Sequence, residues 1–309
     1  MADSLSDLAW LWRMSACVSD NRGLRSTWRR FEFLMQAMRS IDALRPFMHP
    51  KAGTPLHRLM TKRPETVGAV LWPYQCTEWN ATTRLKRIDD HFKIVERMGA
   101  PWDLAPGDAL SLLDLDELSG GLRVVLDQPQ WFMREGQLAL NLFAGEVRLF
   151  TLAFSFGFDA DGITAYVGAI QGGNTTGIQE EYKDLTKSLH GMRPRDFLVE
   201  LFRTFCRCLD IPRIHAVADA ARQHRSKYFG AAKAATLILN YDEIWRERGG
   251  VKADDGFFIL SCTAPVRNLD DVPSKKRAMY RRRYELLFEL ENKLRSMTRA
   301  GCKVGACPA

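Results

Sequence analysis

Two kinds of hydrophobic periodicity divide the chain. Through roughly the first hundred residues, apolar side chains recur every three or four positions, the spacing of one helix face. Trp28, Phe31, Met35 and Met38 carry it in one segment, with Arg29, Arg30 and Arg39 between them. Leu85, Ile88, Phe92 and Val95 carry it over 83–98, beside Arg84, Lys86, Arg87 and Lys93. Both read as surface helices with solvated basic faces; the functional alternative is a helical layer offering an anion-binding or membrane-facing surface. After a Pro- and Gly-richer stretch at 100–106 the apolar runs change character. Segments 123–127, 137–143, 147–156 and 163–170 predict successive strands, with turn signals at 144–146 and 159–162. Their short connections predict an antiparallel meander.

Helical spacing returns over 178–189, closed by His190-Gly191, and over 195–209, opened by Pro194. A short apolar strand at 214–218, a weaker helical or mixed segment at 227–239 and a strand at 257–260 follow. A long helix then runs from Pro273 to about Met297. The expected fold class is α+β: a helical N-terminal region over 1–105, an α/β domain over 106–297 whose mostly antiparallel central sheet is flanked by helices, and a flexible tail over 298–309. No internal repeat is visible.

Composition narrows the class only a little. The 309 residues are 46% hydrophobic and 26% charged, as in ordinary globular proteins. The net charge of +7 suits phosphate-bearing or acidic partners without choosing among them. The first residues are acidic where a secretory signal is basic, Arg13 interrupts the apolar stretch behind them, and no run approaches the roughly 18 apolar residues of a spanning helix. Seven cysteines, scattered and odd in number, read as reduced thiols and a cytoplasmic setting. Cys206 and Cys208 point to different faces of one helix, a spacing wrong for zinc, so no metal is expected.

The most informative segment lies between a strand and a helix: Gln171, Gly172, Gly173, Asn174, Thr175, Thr176 and Gly177. Glycines let backbone N–H groups turn inward, Thr175 and Thr176 are candidate caps for the following helix, and Lys183 and Lys187 add charge one and two turns on. Together these describe a cradle for phosphate or pyrophosphate, against the alternative of a plain helix-entry loop. The spacing is neither Walker A nor G-x-G-x-x-G. The segment resembles the cofactor loop of Gcn5-related N-acyltransferases, in which a Gln- or Arg-led, Gly-containing turn holds the pyrophosphate of acyl-CoA. That resemblance implies acyl-CoA as donor, with an acyl carrier protein thioester as an equal candidate. The spacing departs from the family signature, and two helices rather than one precede the next strand.

A second set of residues is more specific. Leu185–Pro194, Tyr241–Trp245 and Pro273–Tyr284, together with Gly168–Gly172 and Asp90-His91-Phe92, resemble the hallmark stretches of the VirK-like family of bacterial proteins. The likeness runs from about residue 25 to 296. It implies an association with virulence, intracellular survival and resistance to cationic antimicrobial peptides, but no reaction.

Acyl transfer to an amine needs a base, a stabilised oxyanion and an acid for the thiol. His190, at a helix end, is the first candidate base, against a capping role for its own turn. Asp219, after the strand 214–218, is placed to orient an amine or to cap a helix. Tyr228 is a candidate acid for the departing thiolate, or a packing residue. His215 reads as a satisfied core residue, and His91 and His224 as distant reserves. Six cations, Lys275, Lys276, Arg277, Arg281, Arg282 and Arg283, crowd nine residues near a helix start, where positive charge is unfavourable. They read as a solvated or internally paired face, or as a site for carrier protein, CoA phosphate or an anionic membrane surface; no nucleic-acid signature accompanies them.

The favoured expectation is an acyltransferase moving an acyl group, fatty acyl included, from acyl-CoA or acyl carrier protein to an amine on a peptide, protein or lipid. Phe143, Phe150, Phe154, Phe156 and Phe158 would line an acyl tunnel or simply pack. The alternative is a non-catalytic, envelope-associated binding or regulatory protein in antimicrobial-peptide resistance, cytoplasmic but peripheral to the inner membrane.

Overall fold

A computed structural model describes residues 3–19, 23–160, 162–230, 232, 234 and 239–301. Helices α1 (Asp3–Val18), α2 (Leu24–Arg39), α3 (Ile41–Met48), α4 (Pro55–Lys62) and α5 (Ala81–Met98) precede the first strand. Local chemistry sets their limits. Thr54 accepts the His57 amide to cap α4, Asn80 accepts the Thr83 amide to cap α5, and Gly99, at φ 67, ends α5. On α5 the expected stripe is the buried one, since Leu85, Ile88, Phe92 and Val95 are all sealed in the core. On α2 the expectation fails. Trp28, Phe31, Met35 and Met38 are exposed, and the helix buries Ser26, Phe33 and Ala37 instead.

The chain passes from helix to sheet after residues 100–106. Strands β1 (Ala109–Asp114), β2 (Leu122–Asp127), β3 (Leu138–Ala144), β4 (Val147–Asp159) and β5 (Gly162–Gly172) form an antiparallel meander, in which β2 to β5 occupy the expected segments. β1 and the two-residue β7 (Val251–Lys252) were not legible as strands, because neither carries a sustained apolar run. Helices α6 (Ile178–Ser188) and α7 (Pro194–Cys208) then return the chain to β6 (Arg213–Val217), which lies parallel to β5. Helix α8 (Tyr241–Glu247), β7 and β8 (Phe257–Ser261) follow, and α9 (Ser274–Gly301) closes the described chain. The sheet order is β1-β2-β3-β4-β5-β6-β8-β7, with β6–β8 and β8–β7 antiparallel. The architecture is α+β with a mostly antiparallel open sheet. Most of the segment expected over 227–239 lies outside the described residues, as do 302–309 with Cys302 and Cys307.

The two faces of the sheet are covered differently. Phe154 packs on Phe202 and Phe205 of α7, and with Phe156 it belongs to this core. The opposite face is crossed by chain without α-helix: Tyr74 meets Ser155 at 2.6 Å, and Phe132, in the short 3-10 turn Gln130–Phe132, packs on Ala153 and Ala169. Close crossings require missing side chains. A Cβ at Gly168 would stand 2.0 Å from the Glu135 carbonyl oxygen, and one at Gly136 2.4 Å from the Phe154 nitrogen. The β4–β5 register shifts between Ala153 and Phe154, where Gly168 is the extra residue of β5. Cys206 and Cys208 do face different surroundings. Cys206 is buried beside the Cys262 thiol, while Cys208 is half-buried near Glu291.

Candidate active site

The parallel pair gives the sheet its one change of direction among the described residues. Pairing of β5 with β6 ends at Val167 and Ala216, while β5 continues beside β4 to Gly172. Ligands of sheets with parallel strands gather outside the carboxyl ends of such strands, where neighbouring chains diverge. Two groups of residues occupy this region.

The first surrounds the glycine-rich loop. A cavity of about 350 Å³ is lined by Gln171–Thr175, Thr151, Arg148 and the rings of Trp131 and Phe132. A row of polar residues leads to it across the sheet, because Asn141, Thr151 and Gln171 stand opposite one another in register. Asn141 donates to Asp127 at 2.9 Å, and Thr151 donates to Asn141 at 2.8 Å. Arg148 lies over both Trp131 and Phe143 and reaches Asp127 at 3.4 Å, while its Nη1 is buried without a hydrogen-bond partner. The Nη1 atom is itself sealed from solvent, so what the side chain offers the cavity is the charge of its partly exposed remainder.

The loop itself works differently from the expected cradle. The Gly173 N–H is spent on the Leu149 carbonyl, and a Cβ at Gly173 would stand 2.5 Å from the Arg148 carbonyl oxygen. Glycine is required there by the neighbouring strand. Neither Thr175 nor Thr176 caps α6; Gly177, at φ 84, holds the N-cap position without any side-chain bond. Lys183 and Lys187 pair with Glu180 and Asp184 and lend nothing to the loop, and Glu180 and Glu181 already complement the helix start. Among the residues that line the cavity Arg148 is the one cation, and Glu146 the one carboxylate.

The second group lies where segment 130–136 crosses β5. Gln75 donates to the Glu135 and Tyr166 carbonyls at 3.0 and 2.9 Å. Burial pushes the Glu135 carboxyl up to about 7, against the opposing hydrogen bond of Gln223 and the charges of Arg134 and Arg222. His224 Nε2 stands 3.5 Å from Glu135 Oε1. The His224 ring lies 5.3 Å from Phe229, which meets Tyr228, and Arg134 lies over both of these rings. A buried carboxyl poised near neutrality beside a partly exposed histidine has the attributes of a general base with a route to solvent. The cavity and this cluster share one short segment, since Trp131 and Phe132 line the first and Glu135 belongs to the second.

The expected catalytic residues are not gathered in one place. Tyr228 belongs to the edge of the Glu135 cluster and is 42% exposed. Asp219 is structural in its contacts: it accepts the Tyr241 amide and pairs with Arg222 and Arg225. Although burial opposes its charge, the Tyr241 amide and these two guanidiniums hold its carboxyl below the usual range. His190 sits at the far end of α6 from the loop, about 16 Å away along the helix axis at ~1.5 Å per residue. Its φ is 52, and its carbonyl accepts from Arg283. His215 is buried but not satisfied. Neither ring nitrogen has a hydrogen-bond partner, and Asp159 and Asp255 stand 3.6 and 3.8 Å away on either side. His91 is fully buried, accepts the Phe156 amide and is pushed down to about 3 by that burial. Glu135 was missed because no periodicity marks it: it follows a turn-rich stretch, and its environment comes from a crossing far away in sequence.

The basic end of α9 divides in two. Arg277 and Arg283 donate to main-chain carbonyls, whereas Lys275, Lys276, Arg281 and Arg282 are exposed with no carboxylate partner among the described residues. No three His, Cys, Asp or Glu side chains among the described residues are grouped to hold a metal. No described helix is long and apolar enough to cross a membrane.

Comparison with known sequences decides the family. Residues 22–296 match the family described as Protein of unknown function (DUF535). The chain belongs to the DUF535 family. The match spans every hallmark stretch of the VirK-like resemblance and bears it out at family level. Among curated DUF535-like relatives, an "Uncharacterized protein" of Haemophilus influenzae is 28% identical over 239 residues, 75% of this chain and 77% of the relative. A second from that organism is 33% identical over 139 residues, 45% of each chain. "Uncharacterized protein YbjX" of Escherichia coli is 29% identical over 136 residues, 44% of this chain and 41% of its own. No solved structure matches. The Gcn5-related likeness receives no support from these comparisons.

Proposed function

We propose that this DUF535 protein is an acyltransferase that moves an acyl group from an acyl-CoA or acyl carrier protein thioester to an amine on a peptide, protein or lipid. The observation that carries the reading is Glu135, a buried carboxyl held at about 7 beside His224 where the parallel strands diverge. An attacking amine must first lose a proton, and a carboxyl with this affinity accepts it near neutral pH. In this reading the ammonium proton passes to Glu135 and through His224 toward solvent. The C–N bond forms and the C–S bond of the thioester breaks; Tyr228 gives its proton to the departing sulfur and is restored, through solvent, by the second proton that leaves nitrogen as the amide forms. Arg148, partly exposed at the cavity wall, holds a phosphate of the donor in the cavity beside Gln171–Thr175. That cavity is at the small end for ligand pockets and fits one phosphate-bearing segment of either donor. The bulge at Gly168 and the parallel β5–β6 pair around α6 and α7 support the reading as features of a strand–loop–helix donor site.

Thermal melting with CoA, acetyl-CoA, palmitoyl-CoA and acylated carrier protein tests it. A donor at 100 times its dissociation constant stabilises the fold by about 2.7 kcal/mol. A rise in Tm that disappears in Arg148→Gln supports the donor site; no rise with any donor removes the acyltransferase reading.

A further inference from the structure

Helices α1 and α2 each carry two apolar faces, and only one of each is buried. On α2 the inward side chains are Ser26, Phe33 and Ala37. On the opposite side Leu24, Trp28, Phe31, Met35 and Met38 recur at alternating four- and three-residue steps, and all are exposed, Leu24 by 93% and Trp28 by 67%. On α1, Leu11, Met14 and Ser15 face inward while Leu5, Leu8 and Trp12 are exposed. At ~100° per residue each outward stripe spans under about 90° of helix surface. The two helices pack on each other and on the same segment, Pro64–Val70. Trp28 and Phe31, one turn apart on α2, touch with ring centroids 5.9 Å apart, so the α2 stripe is continuous there. Scattered exposed apolar residues need no explanation; a contiguous stripe on each of two adjacent helices does.

The charges beside these stripes indicate what covers them. Helix α2 contains four arginines and one carboxylate, Glu32. Arg39 lies one turn beyond Met35, and on α1 Arg13 follows Trp12 directly. Among the described residues Arg29 and Arg39 form no ion pair; Arg30, with its Nε buried, and Arg13, in the groove beside Met14 and His49, turn away from the stripes. A second copy of the chain laid on this face would bring arginine against arginine. A surface of lipid phosphates supplies the missing anions, and below them an apolar layer for Leu, Phe and Met. Tryptophan favours the boundary between the two.

We propose that α1 and α2 form a docking face for an anionic phospholipid bilayer, with the apolar stripes entering the headgroup–acyl boundary and the arginines lying against lipid phosphates. The face places the protein on a membrane surface without spanning it, and does so whether or not the Glu135 site transfers acyl groups.

The test is co-sedimentation of the full chain with vesicles of phosphatidylglycerol and phosphatidylcholine mixed, and of phosphatidylcholine alone. Binding to the mixed vesicles is expected to exceed binding to the neutral ones at least tenfold, to weaken as salt is raised, and to shift tryptophan emission to the blue. The triple variant Trp12→Ser, Trp28→Ser, Phe31→Ser is expected to lose at least tenfold in vesicle affinity. Its melting temperature should match or exceed that of the parent, because these side chains are exposed. Equal binding by variant and parent, or equal binding to neutral and anionic vesicles, overturns the proposal. A lipid-free dimer that the triple variant converts to monomer overturns it too, and assigns the face to a second copy.

Discussion

The Tyr241 hydroxyl serves both main-chain groups of Ile170, donating to its carbonyl at 2.9 Å and accepting from its amide at 3.0 Å. Beyond Val167 strand β5 has lost its pairing with β6, and this one side chain from α8 takes the place of a strand partner. Arg222 stacks on the ring, 3.7 Å from its centroid, and Asp219 accepts the Tyr241 amide. Tyr241→Phe keeps the packing but leaves a buried N–H and C=O unpaired. It should lower stability by about 1–3 kcal/mol, as read from denaturant midpoints. A variant as stable as the parent would show that water replaces the hydroxyl.

Gly168 controls the other side of the same divergence. Its missing Cβ admits the Glu135 carbonyl, so Gly168→Ala must displace main chain rather than a flexible side chain. We expect a loss of at least about 2 kcal/mol, on the scale of other overpacked sites. If Glu135 is the base, acyl transfer by Gly168→Ala should also fall more than its stability alone explains, because Glu135 moves with its backbone.

Two buried groups set opposing pH dependences. The Glu135 carboxyl titrates near 7 in the fold against an ordinary 4.5, so the folded state holds the extra proton and stability falls as pH rises from 4.5 through 7. His91 is pushed down to about 3 from 6.5, so the unfolded state takes the proton and stability falls as pH drops from 6.5 toward 3. The two trends offset each other between 4.5 and 6.5. Glu135→Gln should remove the alkaline loss, on the order of 3 kcal/mol by pH 8, and leave the acid loss intact. Melting from pH 4 to pH 8 measures both limbs, and a parallel fall above pH 6 in parent and variant would place the raised carboxyl elsewhere.

The chemistry separates Glu135 from His190. If Glu135 is the base, Glu135→Gln should lower acyl transfer to an amine by about 10²–10⁴-fold while donor-induced melting shifts persist. His190→Ala, a helix away, should change kcat by less than about threefold. The reverse ranking would return the base to the end of α6.

His190 offers a purely conformational check. A non-glycine residue at φ 52 costs energy that glycine avoids. Arg283 bonds the backbone carbonyl there and not the imidazole. His190→Gly should therefore gain up to about 1 kcal/mol in urea unfolding, despite the entropy of a freer unfolded chain.

What the sequence determined by itself is the local part of this protein. Apolar runs and turn residues specified β3 to β5 and their antiparallel order, since each of these strands meets its neighbour through a short connection and needs no distant information, whereas β2 reaches β3 through residues 128–137. Gly and Pro marked the limits of α6 and α7 for the same reason. The apolar stripe of α5 also named its buried face. The identical kind of stripe on α2 did not, because periodicity reports that a face is apolar and not what covers it; Pro64–Val70 packs against the other side. Tertiary structure alone decided the site. The glycines at 172 and 173 were visible, but that Gly173 gives its N–H to Leu149 depends on the path of β4. Arg148 is held at the cavity wall only between two rings brought from separate segments. Glu135 becomes a near-neutral acid only where residues 130–136 cross β5 and meet His224. Burial and opposing charge are properties of the neighbourhood, and this neighbourhood is assembled from residues 75, 135, 168 and 224, too far apart along the chain for any local pattern to join them.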